Sequence, residues 1–354
     1  MQYDIAIIGL GPSGAMLARL LSKNFKVAAV DKGSDNSEGF TKPCGGLLAP
    51  DAQKVLAMLD LSLPKSILAD PQIFSVRTID IKTKLIRHYR RFYINMDRFR
   101  FDCWLRSLIG QEVQVFDNTK CKNIERINGG FLITLFNGDK EVAITARQIV
   151  GADGANSIVR RTFFPDFKVC KLISIQQWFK NTHITPNYTC IFDKATTDTY
   201  AWGVTKGGYF IFGGAFEFKN ARKSFEALKE NVKVFGFELN NPVKTEACML
   251  LKPTRKFCLG SNGVFLVGEA AGFISPSSFE GISYALDSAR ILADVLNKKI
   301  NKDKNNFHKL YKKATHKMCF KILNRSIKSL FIYKPFLRKI IMKSRIKSIS
   351  VHSK

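Results

Sequence analysis

Gly9-Leu10-Gly11-Pro12-Ser13-Gly14 follows a short apolar run, Tyr3 to Ile8, and precedes a helix-forming run, Ala15 to Ser22. With the second apolar run, Val27 to Val30, the stretch predicts strand, tight turn, helix and strand, half of a doubly wound α/β unit. In a GxGxxG turn the first glycine permits the sharp bend and the second lets backbone approach a pyrophosphate. The third lets helix and strand pack closely. Pro12 and Ser13 join the three glycines as cofactor-binding candidates, because the helix N-terminus there favours negative phosphates. Asp31, followed by Lys32, ends the second strand. A carboxylate at that place accepts hydrogen bonds from ribose hydroxyls and repels a 2′-phosphate, which favours FAD or NAD over NADP. The loop by itself does not separate FAD from NAD.

The composition around this loop sets bounds. Of 354 residues, 45% are hydrophobic and 12% aromatic, with 29 Phe, which supports a large core and argues against disorder. No run of about eighteen apolar residues occurs, so no transmembrane helix is expected. The run Ile5 to Gly9 is too short for a signal peptide and lacks a basic flank, so a cytoplasmic protein is expected. Eight cysteines are scattered without a CxxC pair; neither a metal site nor a disulfide framework is expected from that spacing. The net charge of +27 is uneven. Asn297 to Lys354 holds fifteen Lys and three Arg against one acid, Asp303, and so carries +17 of it.

Further along, Gly33 to Pro50 reads as loop, Pro71 to Tyr93 as antiparallel strands and Asp97 to Leu108 as helix. Gly129 to Val150 reads as a hairpin and strand. Aromatic-rich alternation between about 170 and 260, as in Thr189 to Asp193 and Tyr209 to Phe212, predicts a second sheet. Gly263 to Val267 is a buried, parallel-type strand and Ser283 to Leu296 a helix. The pattern predicts an α/β fold with a Rossmann-like dinucleotide domain drawn from residues 1–65, 97–165 and 260–297. An inserted antiparallel β-sheet substrate domain takes residues 66–96 and 166–259, and a basic helical C-terminal region takes 298–354.

Val150 to Arg160 (VGADGANSIVR) and Gly263 to Gly272 (GVFLVGEAAG) each run from a strand into a glycine turn that holds an acid, Asp153 and Glu269. They resemble the DG and GD fingerprints of the flavoprotein hydroxylase and reductase superfamily, and Asp97-Arg98-Phe99-Arg100-Phe101-Asp102 resembles its RxxFD helix. The resemblance implies FAD. It places Asp153 and Gly154 at the pyrophosphate region and Gly268 and Glu269 at the ribityl chain, with Glu where Asp is usual. It also implies that Arg98 reaches the pyrophosphate, a task suited to a planar guanidinium fork; an exposed arginine paired with Asp102 is the plainer reading. Ser278 to Ile282 opens the next helix. In the superfamily that N-terminus, at Gly281 and Ile282, points at the flavin pyrimidine, where it stabilises the anionic reduced ring.

Lys42-Pro43-Cys44-Gly45-Gly46 resembles the PCGG element of geranylgeranyl reductases, which saturate isoprenoid double bonds with reduced FAD. Tyr200-Ala201-Trp202-Gly203-Val204-Thr205-Lys206 resembles their YxWxFPK motif, with Val204-Thr205 in place of Phe-Pro. The resemblance implies that Pro43, Cys44, Gly45 and Gly46 lie against the isoalloxazine, and that Tyr200 and Trp202 wall an apolar substrate. Cys44, Tyr200 and Trp202 become the catalytic candidates. A tolerated loop cysteine and ordinary core aromatics are the plainer readings. No second GxGxxG unit for a nicotinamide nucleotide is present, so electrons are expected from docked NAD(P)H or from reduced ferredoxin or flavodoxin. A flavin monooxygenase of the same fold and a membrane-associated flavin-binding protein with little turnover stay open as alternatives.

In the tail, Ile327, Leu330, Phe331, Leu337, Ile340 and Ile341 recur at helical spacing among lysines. A basic amphipathic helix can lie on an anionic membrane surface; a helical cap on the cofactor domain fits the same pattern. No nucleic-acid module is recognisable, and no nucleic-acid partner is expected.

Overall fold

Tyr3, Ile5, Ala6, Ile7 and Ile8 are all buried, as are Val27, Ala28, Ala29 and Val30. Strands covered on both faces form the middle of a parallel sheet rather than its rim. In the computed structural model residues 1–21, 23–33, 42–138, 140–180, 186–298 and 306–351 are described. Ser22 of the first helical run, residues 34–41 of the Gly33 to Pro50 loop, Asp139 in the hairpin, and residues 299–305 and 352–354 of the tail lie outside them.

The elements begin β1 (Gln2–Ile8), α1 (Pro12–Leu21), β2 (Val27–Val30), β3 (Leu47–Leu48), α2 (Pro50–Met58), β4 (Ile73–Asp80), β5 (Leu85–Asn95) and α3 (Arg98–Ser107). They continue β6 (Gln114–Phe116), β7 (Lys120–Ile127), β8 (Gly130–Asn137), β9 (Lys140–Gly151), α4 (Ile158–Phe163), β10 (Lys171–Lys180), β11 (Asn187–Phe192), β12 (Ala201–Lys206) and β13 (Tyr209–Phe216). After α5 (Ala221–Val232) come β14 (Lys244–Leu251), β15 (Gly260–Ser261), β16 (Val264–Leu266), α6 (Ile282–Asn297), α7 (Phe307–Tyr333), α8 (Pro335–Ser344) and β17 (Ser348–Ile349). Among the described residues no helix is long and apolar enough to cross a membrane.

The chain divides into two compact units. The first, Met1–Phe40 with Phe101–Cys170 and Leu251–Arg325, is built on a sheet of order β15-β16-β9-β1-β2-β6, in which β16, β9, β1, β2 and β6 run parallel. β8 extends it antiparallel from β9, and β7 pairs with β8. α1 packs on α6, and Asn297 Nδ2 at the end of α6 donates to the Leu20 carbonyl at 3.1 Å. The first part of α7 also belongs here: the buried Tyr311 hydroxyl donates to the Leu266 carbonyl at 3.0 Å, tying the helix to β16.

The second unit, Thr41–Arg100 with Lys171–Leu250 and Ser326–Lys354, holds a sheet of order β14-β10-β13-β12-β11-β4-β5-β17, with β3 on β5. β4 and β11 are parallel and the other pairs antiparallel. One sheet face buries a phenylalanine-rich cluster, Phe179, Phe210, Phe212 and Phe216, under Phe225 and Leu228 of α5. Val204 packs on the other face with Ile73 and Ile211, beside Leu47, Tyr93, Trp178 and Tyr188. α8 is fastened to this unit by a buried ion pair, Arg338 Nε to Asp80 Oδ2 at 2.6 Å, and by Arg87 Nε donating to the Met342 carbonyl at 2.7 Å.

These contacts move the expected domain limits. Residues 42–65, expected with the cofactor domain, fall in the second unit because β3 pairs with β5. Residues 251–259, expected in the substrate domain, fall in the first because the Leu251 N–H donates to Glu269 Oε1 and the Cys258 N–H to the Ala271 carbonyl. The tail is not one region: the two units share it, dividing within α7.

Candidate functional site

Three turns leave the carboxyl edge of the first sheet side by side. β1, β9 and β16 are adjacent and parallel, with Ile8 opposite Gly151 and Gly151 opposite Leu266. The Ala152 N–H donates to the Ile8 carbonyl at 2.8 Å and the Val267 N–H to the Gly151 carbonyl at 3.0 Å. Segments distant in sequence, Gly9 to Gly14, Asp153-Gly154 and Gly268-Glu269, are thereby brought to one rim. Open α/β sheets bind nucleotides at such a rim.

The first turn is shaped for close approach. Gly9 has φ +98°, and a Cβ there would stand 2.7 Å from the Ala152 carbonyl oxygen. A Cβ on Gly14 would stand 1.8 Å from the Gly9 carbonyl oxygen, so α1 can start this close to β1 only without a side chain. Around Gly11 there is open space. Pro12 opens α1, earlier than the predicted Ala15, and the Ser13 Oγ lies against Gly268, 2.8 Å from where its Cβ would be.

Asp31 is held by three protein donors. Its Oδ2 accepts the Leu10 N–H at 2.6 Å, and its Oδ1 accepts the Gly33 N–H at 2.9 Å and Arg106 Nη2 at 2.6 Å. A carboxylate has about four acceptor sites, so one is left for a ribose hydroxyl. Lys32, next in the chain, lies at this same corner of the loop. Arg106, near the end of α3, also donates through Nε to the Leu10 carbonyl at 3.3 Å and pairs with Asp117 at 3.1 Å. Burial lowers its pKa, but the Asp31 carboxylate outweighs this and the net shift is upward. No local sequence signal marks Arg106.

The second turn holds an acceptor without a protein partner. Asp153 Oδ2 accepts the Ile158 N–H at 2.6 Å, whereas Oδ1 is buried with no hydrogen-bond partner. Burial raises the pKa of this carboxyl, against hydrogen bonds from Ser157 and the α4 backbone. The second and third turns are joined by Arg160, which is 2% exposed. It donates from Nη2 to the Ala155 carbonyl and from Nη1 to the Ala270 carbonyl, each at 2.6 Å. Sequence reasoning quoted Arg160 but gave it no task.

Glu269 ties the third turn to the segment before it. Its Oε1 accepts the Leu251 N–H at 2.8 Å, and its Oε2 faces Gly154 across the rim. At the start of α6, Gly281 is the N-cap residue and Ile282 the first helical one. Glu280 accepts the Ser283 N–H at 2.7 Å and the Ser283 hydroxyl at 2.6 Å, holding that turn. The Gly268 N–H donates to the Ser288 hydroxyl at 2.9 Å, which locks α6 to the third turn.

The second unit collects the residues of the 42–46 and 200–206 segments on one sheet face. Side chains alternate along β12, so Trp202, Val204 and Lys206 share a face. Lys206 Nζ is buried and donates to the Gly46 carbonyl at 3.0 Å, the Met96 carbonyl at 2.7 Å and Asn95 Oδ1. All three ammonium protons are used, and the Pro43 to Gly46 turn is pinned to the sheet. Desolvation pushes the pKa of Lys206 down to about 7, with Cys44 and Asp97 acting against it. Cys44 Sγ accepts the Gly46 N–H at 3.4 Å. A Cβ on Gly45 would meet the Tyr188 ring at 3.5 Å and Trp202 at 4.0 Å. Tyr200 is in edge contact with Trp202 at 6.2 Å and hydrogen-bonds Tyr188; burial raises both hydroxyls well above the usual tyrosine value. Trp202 Nε1 donates to Gln176 Oε1 at 3.2 Å.

Val204 and Thr205 serve local packing. Val204 is fully buried against Ile73 and Ile211, and the Thr205 carbonyl accepts Asn95 Nδ2 at 2.9 Å. Tyr188 and Asn95, absent from the candidates, join this group. Arg98 opens α3 and belongs to the second unit.

The first unit's residues fit an adenine dinucleotide. The Gly9 to Gly14 turn leaves no room for side chains at its two close approaches, Asp31 retains one acceptor site, and the orphaned Asp153 oxygen suits a hydroxyl donor. Sheet and turns define the Rossmann-like fold of FAD-binding flavoproteins. A geranylgeranyl bacteriochlorophyll reductase-like protein of Thermoplasma acidophilum superposes with a TM-score of 0.84 at 19% identity, covering 99% of this chain and 94% of that one. pqsL of Pseudomonas aeruginosa, a probable FAD-dependent monooxygenase, superposes with a TM-score of 0.71 at 16% identity, covering 98% of each chain. The chain belongs to the CbrA family: it is 48% identical over 351 residues to Protein CbrA of Escherichia coli O6:H1 (strain CFT073), covering 98% of this chain and 95% of that protein. No protein-family model matches.

Proposed function

We propose that the chain is a cytoplasmic FAD-dependent oxidoreductase that reduces carbon–carbon double bonds of an isoprenoid or related apolar lipid. The observation that carries this reading is the Pro43 to Gly46 turn, pinned by Lys206 on the sheet face that also bears Tyr188, Tyr200 and Trp202. The likeness to a geranylgeranyl reductase-like fold supports it. FAD, when bound and reduced, supplies hydride. Gly9 to Gly14, Asp31, Lys32, Asp153, Gly154, Gly268 and Glu269, all of the first unit, would bind and orient the dinucleotide, and Gly281 with Ile282 would offer it a helix N-terminus. Tyr188, Tyr200 and Trp202 exclude water and hold an apolar chain. The Tyr200 hydroxyl, hydrogen-bonded to Tyr188 beside Trp202, and the Cys44 thiol are the candidate donors of the proton that completes saturation. NAD(P)H or a reduced ferredoxin or flavodoxin supplies the electrons.

The test is anaerobic reduction of the purified protein, addition of polyprenyl lipids and mass measurement of the products. Gain of one pair of hydrogens per double bond supports the reading. Gain of an oxygen atom under air makes the protein a monooxygenase, and no product with any polyprenyl acceptor removes the lipid assignment.

A further inference from the structure

Between Ser326 and Val351 the chain carries seven Lys or Arg and no Asp or Glu. Charge alone is a solvated surface; here large apolar side chains stand out among it. Phe336 is 72% exposed and Ile340 51%, one turn apart on α8, with exposed Lys339 and Lys343 on the same side. The last turns of α7 add Ile327, Leu330 and Phe331, each more than two-fifths exposed. Leu337 and Ile341, picked from spacing alone, are half-buried instead.

This face is not a loose end. Arg338 and Met342, on the opposite side of α8, are buried; Arg338 pairs with Asp80 at 2.6 Å and donates from Nη1 to the Ile332 carbonyl at 2.8 Å. β17 then closes onto β5, pairing Ser348 with Tyr89 and Ile349 with His88. The helix is held in one rotation, which fixes Phe336 and Ile340 outward. A packed helix that turns its aromatic outward and keeps an arginine inward has a use for the outer face.

We propose that α8 and the last turns of α7 form a docking face for an anionic phospholipid bilayer, with Phe336 and Ile340 entering the headgroup–acyl boundary and Lys339 and Lys343 meeting lipid phosphates. Charge decides the occupant. A second copy of this chain would set two wholly basic faces against each other. A nucleic acid would meet the lysines but leave the apolar residues wet, whereas a lipid surface satisfies both.

The test is co-sedimentation of the full chain with vesicles of phosphatidylcholine, with and without phosphatidylglycerol, at low and high salt. Wild type binds the anionic vesicles at least about tenfold better than the neutral ones, and salt weakens the binding. Lys339→Ala with Lys343→Ala lowers partitioning roughly twenty-five-fold, at about fivefold per lysine. Phe336→Ser with Ile340→Ser lowers it at least about tenfold. Val234→Ser, at a residue 77% exposed in another element, leaves it unchanged. Melting curves establish that the variants fold. Equal binding to both vesicle types, or wild-type binding by the double-serine variant, overturns the proposal. So does a solution mass that falls from dimer to monomer in that variant, or loss of vesicle binding in all variants including Val234→Ser.

Discussion

Lys206→Met removes a buried ammonium that holds three oxygens, and its signature is a change in how stability depends on pH. In the folded chain desolvation brings the Lys206 pKa to about 7 from 10.5. Below about pH 7 the amine is protonated folded and unfolded, and the cost of burying the charge is present in full. Between about 7 and 10.5 the unfolded chain binds more protons than the folded one, so this residue makes stability rise with pH. Integrating the linkage from about pH 7 to about pH 9 gives a rise of about 2.3 kcal/mol from Lys206 alone. The variant lacks that rise. Its absolute stability is a poorer guide, because losing the buried charge is offset by leaving Asn95 Oδ1 and the Gly46 and Met96 carbonyls short of a donor. The assay is urea unfolding of both proteins at a series of pH values, read as the difference between the two profiles, in which other titrating groups cancel. A difference that grows by roughly 2 kcal/mol over that interval is expected. Parallel profiles would refute the reasoning, since Lys206 would then keep an ordinary pKa and its three acceptors would fully repay desolvation.

Two further outcomes bear on the first unit. Gly14→Val drives its side chain into the Gly9 carbonyl oxygen, which a Cβ would already meet at 1.8 Å, so bound flavin, read from visible absorbance after purification, should fall at least about tenfold. Arg160→Met strands the Ala155 and Ala270 carbonyls; chemical unfolding should show a loss of about 2–4 kcal/mol, and retention of full stability would mean those turns do not depend on their guanidinium link.

The first unit was legible in the sequence to the extent that its signals are local. Gly9, Gly14 and the acid at 31 lie within one βαβ stretch, and their spacing dictates strand, turn and helix. Each of the turns at 151 and 268 also follows its own apolar run. What spacing does not carry is which distant side chain meets which backbone. Arg106 reaches Asp31 from another helix, Arg160 joins two turns through carbonyls, and neither type of contact leaves a periodic trace. The same holds for Lys206, whose place in a motif gave its strand but not its three acceptors. The domain limits slipped at residues 42–65 because β3 is only two residues long, too short to announce a pairing with β5. Helical spacing in the tail was visible, but the rotation of α8 is set by Asp80 far upstream, so Phe336 rather than Leu337 faces out.

The register that sets Ile8, Gly151 and Leu266 abreast also imposes a timetable. As the chain leaves the ribosome, the glycine turn emerges first, yet the neighbours that complete its rim arrive only with β9 and then β16. Until then no nascent chain has a finished pocket for a dinucleotide, however well its first strand and helix have formed. With the site proposed above, cofactor capture is a late event that rewards only chains already synthesised past residue 268. Once it occurs it favours the assembled state by mass action, making the flavin a check on completed synthesis as well as a reagent.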